Sequence, residues 1–142
     1  MAKKPAILFL CTGNSARSQM AEAFAQYYGG RALTVHSAGT APSKVHPNAI
    51  WAMNEVGLDI SHNTSDPLSG TRLEEFDYVV TLCGDARESC PVLPPDTQKE
   101  HWPLPDPAKI RGNPSQVMKG FRVIRYQIET RVKDLLKKVL PY

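Results

Sequence analysis

The apolar run Ala6 to Leu10 ends directly in Cys11-Thr12-Gly13-Asn14-Ser15-Ala16-Arg17-Ser18, and a helical pattern opens immediately behind it. A fully buried strand that passes through one short loop into a helix is the first unit of a strand–helix alternation. The loop consists of short side chains, so its backbone N–H groups can curl inward into a nest for a tetrahedral oxyanion. A helix starting near Arg17 adds its positive end to the same point, and the Arg17 guanidinium can hold two oxygens of the anion. Both favour thiolate over thiol, which makes Cys11 a candidate nucleophile. Thr12, Gly13, Asn14, Ser15, Ala16, Arg17 and Ser18 form the candidate oxyanion-binding segment. A lone cysteine ending a strand is ordinarily an inert buried thiol; the spaced arginine and the helix start argue against that here.

The alternation continues along the chain. Gln19 to Tyr28 reads as a helix with Met20, Phe24 and Tyr27 at helical spacing, stopped by Gly29 and Gly30. Leu33 to Ala38 reads as a second strand, Asn48 to Val56 as a second helix opened by His46-Pro47, Phe76 to Leu82 as a third strand and Lys99 to Trp102 as a short fourth. Val117, Phe121, Ile124, Ile128, Val132, Leu135 and Val139 then recur at spacings of three and four, an amphipathic closing helix covering a sheet face. The expectation is one α/β domain over residues 1–142, with a small parallel sheet covered on both sides. Ligands bind such sheets outside the carboxyl ends of the strands, so the Cys11 loop, the Cys83 region and the Asp106 loop should meet at one edge.

At 142 residues the chain is long enough to bury a core without disulfides. Its basic Met-Ala-Lys-Lys-Pro start leads into an apolar run of only about six residues, short of a signal peptide, and no stretch approaches the roughly 18 apolar residues of a membrane span. The expectation is a cytoplasmic protein. Three cysteines without framework spacing suit a reducing compartment, and a net charge of +3 with interspersed acids does not suggest nucleic acid binding.

Cys90 lies seven residues after Cys83. In a helix their Cα atoms would stand roughly 10 Å apart, beyond the span of about 4.4–6.8 Å that a disulfide bridges. A Cys83–Cys90 bridge would therefore require the segment to unwind, which Gly84 permits and Pro91 bounds. Two unrelated thiols are the alternative, while a zinc site lacks its usual close cysteine pair. Asp106 stands between Pro105 and Pro107, where a stiff backbone would hold a carboxylate in place as a general acid. His36, His46, His62 and His101 are scattered singly and suggest no chemical role.

Cys11, Asn14, Arg17, Ser18 and Asp106 together resemble the low-molecular-weight tyrosine phosphatase fold, with its C-x5-R-S loop and distant Asp-Pro acid, across essentially the whole chain. With Cys83 and Cys90 added, C-T-G-N-S-A-R-S-Q-M-A-E is similar to the thioredoxin-coupled arsenate reductases within that fold. The resemblance implies a four-stranded parallel sheet with helices on both faces, arsenate as substrate, and thioredoxin as reductant of a monomer. It implies that Cys11 attacks arsenate, Asp106 protonates the departing oxygen, Ser18 steadies the thiolate, Cys83 resolves the intermediate, and Cys90 takes over the disulfide from Cys11. No cofactor is required; a potassium ion at Asn14, Glu22, Ser37 and Asp66 is further implied. Ala16 stands where many relatives carry a cysteine, and Ala108-Lys109 follow Asp106-Pro107 where phosphatases often carry tyrosines. A phosphomonoesterase using the same Cys11, Arg17 and Asp106, and a non-enzymatic sensor signalling through the Cys83–Cys90 segment, are the rival readings.

Overall fold

The strand β1, Ala6–Cys11, is buried at all six positions, and because successive side chains point to opposite faces, both faces of the sheet are covered along it. The computed structural model describes residues 4–82 and 93–140. Its further elements are α1 (Arg17–Gly29), β2 (Thr34–Gly39), α2 (Pro47–Asn54), β3 (Tyr78–Thr81), β4 (Gln98–His101) and α3 (Pro114–Val139). The four strands form one parallel sheet in the order β2-β1-β3-β4. The two most apolar strands are central. β4 carries Gln98, Lys99 and Glu100 at an edge, where charged side chains discourage further strand pairing.

Each element lies where the residue pattern put it, with ends moved by capping. α1 starts at Arg17, where the loop reading put its positive end and two residues before the apolar spacing from Gln19 begins. α3 starts at Pro114: Asn113 accepts from the Gln116 backbone N–H while the Gln116 side chain accepts from the Asn113 backbone, a reciprocal capping box with proline in the first turn. α2 ends at Asn54, and the chain leaves it through Gly57 at φ 82°, in the left-handed region that glycine tolerates. β3 is shorter than Phe76–Leu82, since Phe76 closes a 3-10 turn at Leu73–Glu75.

Phe121, Ile124, Ile128, Val132 and Leu135 of α3 are buried with Met20 and Phe24 of α1 and Phe9 of β1 in one core. Phe9 also packs on Trp102, ring centroids 5.7 Å apart. Tyr27 departs from its expected place: it is 65% exposed, because Ala21, Ala23 and Ala25 supply the close-packing surface of that helix. Among the described residues no helix is long and apolar enough to cross a membrane.

Candidate active site

The carboxyl end of β1 delivers Cys11 to a loop, 12–16, whose carbonyls are all accounted for. The backbone N–H groups of Thr40, Ala41, Ser43 and His46 donate to the carbonyls of Cys11, Thr12, Gly13 and Ser15 at 2.8–3.2 Å. The Asn14 carbonyl accepts from Ser65 Oγ at 2.7 Å and Gln19 Nε2 at 3.1 Å. Trans peptides are planar, so a carbonyl and the following N–H point opposite ways; carbonyls drawn outward turn the amides of Thr12, Gly13, Ser15 and Ala16 the other way, while the Asn14 nitrogen stands beside Gly39. Inward-turned amides of this kind are what an oxyanion nest requires. Thr12, Gly13, Ser15 and Ala16 line a 620 Å³ cavity together with Cys11, Arg17, Ser43, His46, Asp106, Ala108 and Lys109.

Asn14 is fully buried and sits at φ 46°, the one described non-glycine residue with positive φ. Its side chain explains how that conformation is held: Nδ2 donates to the Ser37 carbonyl at 3.3 Å and Oδ1 accepts from Ser18 Oγ at 2.8 Å. Ser18 Oγ also lies 2.9 Å from Cys11 Sγ. The hydroxyl has one hydrogen, so while it serves Asn14 the sulfur must be the donor, a thiol. A thiolate calls for the hydroxyl to turn its hydrogen toward sulfur.

Arg17 is buried, and Nη1 donates to the Leu104 carbonyl at 3.1 Å, with the Leu82 carbonyl at 3.5 Å. Nη2 faces Asp106 Oδ2 at 3.5 Å. Asp106 in turn caps the 3-10 turn Pro107–Lys109, accepting from the Ala108 N–H at 3.0 Å. Thus Cys11 and Arg17 from one segment and Asp106 from another share one cavity. Leu82, whose carbonyl faces Arg17, is the last described residue before Cys83; Cys83 and Cys90 lie outside the described residues.

Asn14, Glu22, Ser37 and Asp66 gather behind the loop. Ser37 Oγ donates to Glu22, whose other oxygen accepts from Gln26 at 3.2 Å. Burial raises the Glu22 carboxyl above its ordinary range, with the Ser37 hydrogen bond and His36 opposing and Asp66 reinforcing the shift. Oxygen donors beside a partly buried carboxylate suit a hard monovalent cation, although Asn14 meets Ser37 through its amide nitrogen, with its oxygen turned to Ser18. Among the described residues no cluster of three histidine, cysteine or acidic side chains could hold a metal ion.

Residue patterns alone did not single out the 40–46 segment, Gln19, Ser65 or Gly39. Gly39 ends β2 against the loop, and a Cβ there would lie 2.6 Å from the Thr12 carbonyl oxygen. The available signal was position: Gly39 ends β2, and the 40–46 segment and Ser65 follow it.

A thiol, an amide nest, a buried arginine and a loop carboxylate at the carboxyl edge of a parallel sheet define a cysteine-centred oxyanion enzyme class. The family described as low molecular weight phosphotyrosine protein phosphatase matches residues 6–140, and the chain belongs to it. Within that family its likeness is to arsenate reductases. The arsenate reductase of Bacillus subtilis (strain 168) is 48% identical over 128 residues, 90% of this chain and 92% of the relative. A solved arsenate reductase in the phosphate binding state superposes with TM-score 0.80 at 41% identity, covering 95% of this chain and 98% of that one. The thioredoxin-dependent arsenate reductase of Corynebacterium glutamicum superposes at 0.78 with 30% identity, over 97% of this chain and 63% of that one.

Proposed function

We propose that this chain reduces arsenate to arsenite by a three-thiol relay. The observation that carries the reading is the loop whose carbonyls are drawn away from the cavity that Thr12, Gly13, Ser15 and Ala16 line with Cys11, Arg17 and Asp106. Arsenate enters the nest and draws the Arg17 Nη2 edge away from Asp106. The Cys11 thiolate, steadied by the Ser18 hydroxyl, attacks arsenic and forms an S–As bond. Asp106 gives its proton to the departing oxygen, which leaves as water. The Cys83 thiolate then attacks Cys11 Sγ: the S–S bond forms, the S–As bond breaks, and its electron pair passes to arsenic, which leaves as arsenite. Cys90 attacks Cys83, restores the Cys11 thiolate and leaves a Cys83–Cys90 disulfide. A dithiol reductant of the thioredoxin type reduces that bridge, each exchange requiring an attacking thiolate.

The experiment is NADPH oxidation with arsenate, thioredoxin and thioredoxin reductase, comparing wild type with Cys11→Ser, Cys83→Ser and Cys90→Ser. Turnover is expected only when all three thiols are present. Hydrolysis of p-nitrophenyl phosphate that needs Cys11 alone, with no arsenate-dependent turnover, would replace this reading with a phosphatase.

A potassium ion beside Glu22, Ser37 and Asp66 is proposed as a support of the loop. It would offset the partly buried carboxylate and supply no step of the chemistry. The expected result is a higher melting temperature in KCl than in choline chloride of equal ionic strength, an increment that Glu22→Gln abolishes. We further propose that the protein acts in the cytoplasm as a monomer.

A further inference from the structure

His46 belongs to the cavity of the loop and has one polar atom unassigned by the mechanism above. It is the N-cap of α2, where its Nδ1 accepts the Asn48 backbone N–H at 3.0 Å. An imidazole nitrogen that accepts a hydrogen bond carries no proton, so the neutral ring is the Nε2–H tautomer. Three contacts hold the residue still. Its backbone N–H donates to the Ser15 carbonyl at 2.9 Å, tying it to the nest; its ring packs on the fully buried Phe121, centroids 5.0 Å apart; and Nδ1 is fixed by α2. His46 lines the cavity with Cys11, Arg17 and Asp106, the charge of Asp106 acts on its ring, and the ring nitrogen not engaged by α2 is Nε2–H.

We propose that His46 is a substrate-contacting residue, its Nε2–H donating to an oxygen of the bound oxyanion on the Asp106 side of the nest. The inference rests on the reading of the loop as an oxyanion site and adds a neutral donor to its amides and guanidinium. Neutrality follows from the surroundings: burial lowers the basicity of the ring and Lys44 acts in the same direction, while Asp106 opposes them. A neutral donor at this place contributes a hydrogen bond without forming a second ion pair that would compete for Asp106.

The test separates this role from capping. Asparagine is among the best N-caps, so His46→Asn retains the α2 cap and replaces the imidazole Nε2–H by a shorter side chain. For the full chain, titration with inorganic phosphate is followed by 15N NMR of the loop amides and the imidazole. The expected result is a Nδ1-unprotonated tautomer whose Nε2–H resonance shifts together with the Gly13 and Ser15 amides. His46→Asn is expected to melt near the wild-type temperature yet bind phosphate about ten- to hundred-fold more weakly, as for a hydrogen bond to a charged group. Amides that shift while the imidazole stays fixed, or wild-type affinity in His46→Asn, would overturn the inference and leave the oxyanion reading intact. Loop amides unmoved by phosphate would instead defeat that reading, and this one with it.

Discussion

The behaviour of Asn14 turns on two buried hydrogen bonds. Its side chain joins the strand β2 to Ser18, and through Ser18 to Cys11, while its backbone takes a left-handed conformation that costs an L-residue energy. Asn14→Ala removes both braces and keeps the unfavourable φ. The expected loss is about 2–4 kcal/mol of stability by urea unfolding, with phosphate binding weakened because the nest relaxes. A variant as stable as wild type would show that the loop is held by its backbone contacts alone. Neither Asn14 nor its φ is exceptional as a residue type in a loop. Its role was legible only because the C-x5-R-S spacing drew attention to the segment.

Two elements hold the cavity from outside, β2 behind the nest and α3 beneath α2. At Gly39 a Cβ would meet the Thr12 oxygen at 2.6 Å and the Asn14 nitrogen at 2.9 Å, both backbone atoms. Gly39→Ala must therefore displace the loop, and a displacement near 1 Å costs on the order of 100-fold in rate; steady-state turnover with arsenate measures it. At the other contact, Arg125 is buried and donates to the Ala52 carbonyl at 2.8 Å and to Glu55 at 2.7 Å, and Arg122 grips the same carboxylate. These donors, Arg122 first, hold Glu55 at about 2, below its ordinary 4.5. The folded value is depressed, so the stabilisation is complete above about pH 4.5 and is lost as pH falls through about 2. Thermal melts should show wild type ahead of Glu55→Gln by a constant margin near neutrality, closing as pH drops below 4.5. A margin that does not vary with pH would assign the effect to packing.

At the scale of the whole molecule, one core runs from α3 through α1 to the sheet, joining the described helices and strands in one unit. Trp102 is 2% exposed and Trp51 63%, so tryptophan fluorescence reports chiefly on Trp102 and the sheet edge. Urea unfolding followed by that signal and by far-ultraviolet circular dichroism should give coincident midpoints, as a single cooperative transition requires. Separate midpoints would mean that β4 detaches before the helices.

By itself the sequence determined the kinds and order of the elements. Continuous apolar runs, helical spacing and capping residues act within a few positions, and β1, α1 and α3 were legible for that reason. It also marked Cys11, Arg17 and Asp106 as candidates, through loop chemistry and a family resemblance. What only the tertiary structure decided is which distant groups meet. The carbonyls of the nest are drawn outward by a segment some thirty residues away, Arg17 is held by the Leu104 carbonyl, and His46 shares their cavity. Such contacts follow from sheet order and packing, and residue spacing carries no record of them.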